Sequence, residues 1–530
     1  MLRFFVVGFA AFALIVVTSA AVIGSWAWLV LEVLLAGLLV LGSYDLIQRR
    51  HSVLRNYPVL GHMRFLLESL RPELQQYFIE RNFDGRPYDR DTRSTIYERA
   101  KGVHAELSFG TEHDIEQVGY EYLVHSTAPV PEPEHPPRVL VGGPDCRQPY
   151  SMSLLNISAM SFGALSGNAL RALNKGAAMG GFAHDSGEGG LTPYHLDNGA
   201  DVIWEIGSGY FGTRTHDGRF DPTRFAEQAA HPQVKAIIIK LSQGAKPGMG
   251  GVLPAAKVSA EIARYREVPA HEKCLSPSAH SAFRTPIELI EFVARLRDLA
   301  DGKPVGIKLC VGSRVEVLAI CKAMLAAGTA PDFVVVDGAE GGTAAAPVEY
   351  QHWVGLPLTD GLMTVHNALV GTGLRHHIRL GASGKVATGS DIVRRIIQGA
   401  DYANAARAMM MAVGCIQSHR CHTNRCPVGV ATQDPKRARA LDVADKSMRA
   451  YRYHESTVRQ AVQLMASMGV TDPADLNPHM LRKKISPTVV RSYAEIYEWL
   501  LPGVLVEDPP ETWTTDWSSA SPDTFRAARP

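Results

Sequence analysis

Eight short β-branched runs alternate with helical stretches between about residues 150 and 410, and most of them close on glycine-rich or polar clusters. That alternation predicts an α/β fold: an eight-stranded parallel β/α (TIM-type) barrel, with its functional face at the carboxyl ends of the strands. A third observation, an almost uninterrupted apolar stretch over residues 4–42, places a membrane helical hairpin ahead of the barrel. The expected order is two transmembrane helices (1–45), a helical connector (46–130), the barrel (131–435), a C-terminal helical region (436–501) and a flexible tail (502–530).

Composition allows this. A chain of 530 residues with 46% hydrophobic and 20% charged residues can bury one large core. Fifty-four basic against 53 acidic residues leave a net charge of +1, so no nucleic acid or polyanionic partner is implied.

The apolar stretch, at about 1.5 Å per residue, reaches roughly twice a bilayer's hydrocarbon thickness. It reads as two helices near 4–23 and 26–45, turning at Gly24 and Ser25. Arg3 precedes the pair and Arg49, Arg50 and Arg55 follow it, which puts both ends in the cytoplasm and makes the chain a multi-pass protein of the cell membrane with a cytoplasmic catalytic body. A single tilted span or a cleaved signal peptide are the alternatives, and the run is too long for the second. Glu32 reads as solvated near the turn. Residues 63–80 form an amphipathic helix in the connector, and the prolines of 129–137 mark its end.

The barrel runs are 153–160, 181–184, 202–207, 234–241, 305–311, 333–337, 378–382 and 403–409. The first ends in Ala159-Met160-Ser161-Phe162-Gly163 and the second in Ser186-Gly187-Glu188-Gly189-Gly190. The fourth ends in Gln243-Gly244-Ala245-Lys246-Pro247-Gly248, the sixth in Asp337 to Thr343, and the seventh in Ser383-Gly384-Lys385. So much glycine beside strand ends lets backbone approach a ligand closely, a phosphate above all. Lys308, inside the fifth run, is expensive to bury without a partner. There is no P-loop and no dinucleotide glycine fingerprint after a strand.

Seven cysteines, an odd number, argue against a disulfide framework. Cys415, Cys421 and Cys426, followed by Pro427, lie within twelve residues. Three soft thiolates at that spacing suit an iron-sulfur cluster of the 3Fe-4S type, one corner being absent; zinc held by the cysteines with His419 or His422 is the alternative.

The stretch Gly414-Cys415-Ile416, then Cys421-His422-Thr423-Asn424-Arg425-Cys426-Pro427 and on to Gln433, resembles the cluster loop of glutamate synthases. The segments 158–166, Gly187-Glu188-Gly189-Gly190, 243–248 and Glu340-Gly341-Gly342-Thr343 match that family in the same order, over about residues 150–470. The resemblance implies FMN at the carboxyl face and a 3Fe-4S cluster beside it. It implies reductive amination of 2-oxoglutarate with ammonia to L-glutamate by an oxidoreductase of the CH-NH2 class. By the same resemblance Ala159, Met160, Ser161 and Gln243 line the flavin, Lys308 approaches its ring, and Gly341, Gly342, Ser383 and Gly384 cradle its phosphate. Lys246 and Arg266 would hold the substrate carboxylates, with Glu188 in the same pocket.

Three positions depart from the family pattern: Val252 replaces a Gln, Met249 a Glu, and Ser383 an Asp. They leave a related 2-oxo acid open as substrate. The sequence holds no amidotransferase with a cysteine nucleophile, so ammonia is expected free or from a partner. Electrons are expected from ferredoxin, an NADPH-oxidising subunit or a membrane donor. The other readings are a membrane-bound dehydrogenase of an amino or hydroxy acid linked to quinone, and a non-catalytic scaffold.

Overall fold

The computed structural model of the protein describes residues 2–21, 27–103, 106 and 108–527, and divides into two compact units, Met1–Arg90 and Asp91–Pro530.

The first unit holds helices Leu2–Ala21 and Ala27–Ile47, a short helix Ser52–Asn56, and helix Gly61–Leu74, which continues as a π-helical turn, Gln75–Ile79. The turn expected at Gly24 and Ser25 lies outside the described residues. Of the two expected spans, Leu29–Ile47, 19 residues, is long and apolar enough to cross a membrane among the described residues. The preceding helix, Leu2–Ala21, is apolar in sequence, and Val7–Ser19 is its described apolar stretch. Glu32, expected to be merely solvated, accepts a hydrogen bond from Thr18 Oγ1 at 3.0 Å.

The second unit is built on eight parallel strands that close into a barrel in sequence order: β1 (Leu155–Ile157), β2 (His184–Asp185), β3 (Val202–Ile206), β4 (Val234–Lys240), β5 (Val305–Leu309), β6 (Phe333–Asp337), β7 (Arg379–Ser383) and β8 (Tyr402–Ala405). All eight expected runs are strands here, and β8 pairs back onto β1. Strands such as β5 and β6 are buried at every residue because one side faces the barrel interior and the other the surrounding helices. That explains their nearly continuous apolar sequence.

An antiparallel pair, Arg138–Val141 with Tyr150–Ser153, closes the amino end of the barrel. From it Val141, Tyr150 and Met152 pack against Ala183, Ile203, Phe333 and Tyr402 inside the strands. The interior is therefore apolar at that end, and any chemistry belongs at the other. Helices Gly167–Gly180, Pro286–Leu299, Arg314–Ala327, Leu358–Gly371 and Gly389–Ile397 follow strands and form the outer layer. Two of them start with capping boxes, Thr285 with Glu288 and Thr388 with Asp391, which satisfy their first N–H groups reciprocally.

The C-terminal part differs from the expected helical region and flexible tail. After helix Val443–Ser467, strands Leu481–Ser486 and Val489–Ser492 form a three-stranded antiparallel sheet with Glu121–Leu123. The segment expected to be a flexible tail carries helix Glu511–Ser519. Leu505 and Trp513 enter the hydrophobic core, and Arg314 lies over the Trp513 ring at 4.4 Å. With Ala520 also in the core and Val504, Trp517 and Phe525 packed against it, apolar burial docks the segment.

Candidate functional site

The side-chain alternation that puts Ala183, Ile203, Ile238 and Val335 inside the barrel also puts Asp185, Glu205, Lys240 and Asp337 inside, one layer nearer the carboxyl face. Lys308 lies beside Lys240 in the β4–β5 register and donates to Glu205 at 2.8 Å. Lys240 is 3.7 Å from Glu205 and 3.1 Å from Glu188. Burial alone would drive the Lys308 ammonium towards its neutral form, but Glu205, Asp337 and Asp185 outweigh it and hold the lysine charged. Asp185 is pushed the other way, towards its protonated form, by burial and by Glu205. The barrel mouth is thus floored by alternating charges, two lysines between carboxylates.

Above this floor the loops after β1, β2 and β4 meet. Burial works against ionised Glu188, yet Lys240, Lys246 and Arg266 hold its carboxyl down at about 2. The same crowding lowers Lys246 to about 8: burial is the main cause, and Lys240 and Arg266 add to it against the pull of Glu188. Lys246 Nζ donates to the Ala345 carbonyl at 3.3 Å. Arg266 ends helix Ala260–Arg266 but is only 5% exposed, so it is no solvated helix face. Its guanidinium donates to Ser161 Oγ (3.2 Å) and the Phe162 carbonyl (3.1 Å) and lies over the Phe211 ring, while Nε is buried without a partner. Three cations thus surround one carboxylate, and one buried N–H has no partner. Val252 and Met249 are half-buried on the following segment.

The remaining predicted residues face the same mouth. Met160 is buried, Ala159, Ser161 and Gln243 are half-buried, and Gly187, at φ +65°, lets the second loop lie against the Met160–Ser161 backbone. Gly244 sits where any Cβ would collide with the Gly338 carbonyl, and its N–H donates to Asp337 Oδ2 at 2.9 Å. Gly341 and Gly342 follow β6, and Ser383 and Gly384 end β7, which pairs with β6 through Asp337 and Ser383; Gly341 lies against Asp337 and Gly244, Gly384 against Leu358 and Glu340, and Ser383 Oγ is 3.2 Å from Ser158 Oγ. Arg407, just past β8, reaches over this group: it packs against Gly342 and donates to the Glu340 carbonyl at 2.6 Å. A glycine-walled cradle with a guanidinium at its rim fits a phosphate.

The cysteine loop is sewn to the first barrel loop. Gln433 Nε2 donates to the Leu165 carbonyl at 2.6 Å, and the wholly buried Lys257 donates to the Ala164 (2.7 Å) and Cys421 (3.3 Å) carbonyls. Cys426 is buried, Cys415 and Cys421 partly so. Burial lifts the Cys415 thiol to about 12, with Cys421 and Cys426 pushing it further in the same direction. Among the described residues no three His, Cys, Asp or Glu side chains are grouped to hold a metal ion. Thiolates are soft-metal donors by chemistry, but the three cysteines are not brought together as a ligand set here, and the expected 3Fe-4S cluster is not shown.

Sequence reasoning missed Asp185, Glu205, Lys240, Lys257 and Arg407. Lys240 and Glu205 carried the same signal as Lys308, a charge inside an apolar strand. Lys257 and Arg407 carried none, because only tertiary structure brings them to the loops they hold.

The conserved region in glutamate synthase matches residues 145–471. The glutamate synthase large subunit-like protein YerD of Bacillus subtilis is 36% identical over 84% of this chain and 92% of its own length. An archaeal-type glutamate synthase [NADPH] of Thermotoga neapolitana is 31% identical over 59% of each chain. The glutamate synthase [NADPH] large chain of Azospirillum brasilense is 34% identical over 58% of this chain but only 20% of its own. Among solved structures, flavocytochrome b2 with pyruvate bound gives a TM-score of 0.42 at 12% identity, over 85% of this chain and 91% of that chain, a likeness too loose to bear on the site.

Proposed function

We propose, for a chain that belongs to the glutamate synthase family and is an oxidoreductase of that type, reductive amination of 2-oxoglutarate or a close 2-oxo acid with ammonia. The observation that carries this reading is the trio Lys240, Lys246 and Arg266 around Glu188 at the barrel mouth, beside a glycine cradle fit for a flavin phosphate.

FMN held there would supply hydride transfer, and a 3Fe-4S cluster on Cys415, Cys421 and Cys426 would supply electrons one at a time. The chain's own residues do the rest. Lys246 and the Arg266 guanidinium would hold the substrate carboxylates, next to the Ala159–Ser161 loop that Arg266 already contacts. Glu188, held ionised, keeps those cations aligned and offers no proton. Asp185, pushed towards its protonated form, is the proton-holding group of the floor. Lys308 and Lys240 supply positive charge at the floor of the mouth, which would stabilise the negative charge of a reduced flavin held there. Arg407 faces the phosphate. Val252 cannot hydrogen-bond a carboxylate, which favours a 2-oxo acid less dependent on a contact there.

The helix Leu29–Ile47 favours a membrane anchor, with the body on the side of Arg49, Arg50 and Arg55, the cytoplasmic side. That helix also motivates the second reading, a quinone-linked dehydrogenase of an amino or hydroxy acid. The electron donor, whether ferredoxin, an NADPH-oxidising subunit or a membrane donor, is part of the same proposal. Anaerobically purified protein should contain FMN and iron and convert 15N-ammonium with 2-oxoglutarate into labelled glutamate when a reductant is supplied. FMN and iron without label incorporation, but with quinone reduction by an amino acid, would favour the dehydrogenase.

A further inference from the structure

Helix Gly61–Leu74 and the turn after it carry Met63, Leu66, Leu67, Leu70, Leu74 and Phe78 at helical spacing, so that all six fall on one stripe. Each is between 43% and 82% exposed. A stripe of that size left open to water is a contact surface in search of its medium.

Two observations say what covers it. The first is continuity with the candidate membrane span. Helix Ala27–Ile47 ends only a short link before this one, and the link is pinned. The fully buried Asp45 carboxylate accepts the Val59 N–H at 2.9 Å and pairs with His62 Nε2 at 3.0 Å on both oxygens. Val59 is held at φ +64°, which a β-branched residue adopts only when its surroundings impose it. The start of the striped helix is therefore fixed to the last turn of the span, at the depth where a bilayer meets water. The second is charge. The link between the two helices, residues 48–60, carries Arg49, Arg50 and Arg55 and no acid, while within 61–79 Arg64 and Arg71 are balanced by Glu68 and Glu73, so the basic excess that complements anionic headgroups sits at the start of the striped helix.

We infer that residues 61–79 form an interfacial helix, seated with its leucine stripe in the headgroup and acyl boundary of an anionic bilayer and held there by the Asp45–His62 clasp. The occupant of the stripe is lipid, not protein. The inference rests on the reading of Leu29–Ile47 as a membrane span.

The test uses the full chain in liposomes of phosphatidylglycerol and phosphatidylethanolamine, with the photo-crosslinker p-benzoylphenylalanine placed singly at Leu67, Leu70, Glu68, Ser69 or Leu38. Irradiation should give lipid adducts at Leu67 and Leu70 several-fold above those at Glu68 and Ser69, which lie off the stripe, and at Leu38 in the span. Lower yields at Leu67 and Leu70 in neutral phosphatidylcholine are expected from the arginine excess. Crosslinks from Leu67 or Leu70 to a second copy or to another part of the chain would overturn the inference and make the stripe a protein interface. Lipid adducts at Leu38 alone would overturn it while leaving the span intact. No lipid adduct at Leu38 would remove the span and the interfacial helix together.

Discussion

Replacing Lys308 by Met is the sharpest probe of the charged floor. The lysine is 3% exposed and its Nζ sits 2.8 Å from Glu205, whose side chain is 1% exposed. Removing one partner of a buried pair costs about 3–5 kcal/mol, because the other charge is stranded in a poorly solvated place. Here Lys240 stays 3.7 Å from Glu205 and offsets part of that, so K308M should fall near the lower end, about 3 kcal/mol. If stranding is the cause, removing the second charge should restore stability: K308M with E205Q should be at least about 1 kcal/mol more stable than K308M alone. Amide hydrogen exchange of peptides covering β3 and β5 reads the barrel's own opening free energy, independently of the Met1–Arg90 unit. A loss in K308M under about 1 kcal/mol, with no recovery in the double variant, would refute the balance of charges argued for this floor.

Lys246 gives a pH prediction. Its folded value is lowered to about 8, below the 10.5 of an unfolded lysine, so the unfolded state binds more protons between those values and stability rises with pH across that window. In function the effect is opposite: KM for the 2-oxo acid should climb above pH 8 as the ammonium is lost, and K246R should move that climb upward. An unchanged pH profile in K246R would remove Lys246 from carboxylate binding. Arg407→Met should weaken FMN binding about tenfold or more, the range of a charge-assisted hydrogen bond, while leaving riboflavin binding alone; equal loss of both would assign Arg407 a purely structural part. Cys415→Ser, Cys421→Ser or Cys426→Ser should each abolish iron content with FMN retained. Iron persisting in all three would place the metal elsewhere.

The barrel was legible because strands buried on both faces are apolar throughout, and β-branched runs such as Phe333–Asp337 stand out against helices. The cysteine loop and glycine clusters were legible because their residue types have few other uses. The sheet at Leu481–Ser486 was not: Arg482, Lys483 and Lys484 break its apolar pattern. There Lys484 pairs with Glu116, ahead of the Glu121–Leu123 strand, and Lys483 with Glu121 across the sheet, partners the local sequence does not disclose. The C-terminal segment reads as loose in sequence because its anchors, Leu505, Trp513 and Ala520, are scattered singly among Pro, Thr and Ser. The pocket was half legible. Lys246 and Glu188 lie within recognisable loops, but only the closed barrel shows that Lys240, two residues past Ile238, is the group joining Glu188 to the Glu205–Lys308 pair.

The central claim is that the barrel mouth binds a flavin and passes its electrons to an imino acid formed from a 2-oxo acid and ammonia. The measurement that tests it most directly is the absorbance of dithionite-reduced, anaerobically purified protein mixed with 2-oxoglutarate, with ammonium, and with both. Flavin reoxidation that requires both compounds and yields glutamate is the result expected. A reduced flavin that stays reduced with both present, under conditions where an artificial acceptor reoxidises it, would contradict the claim.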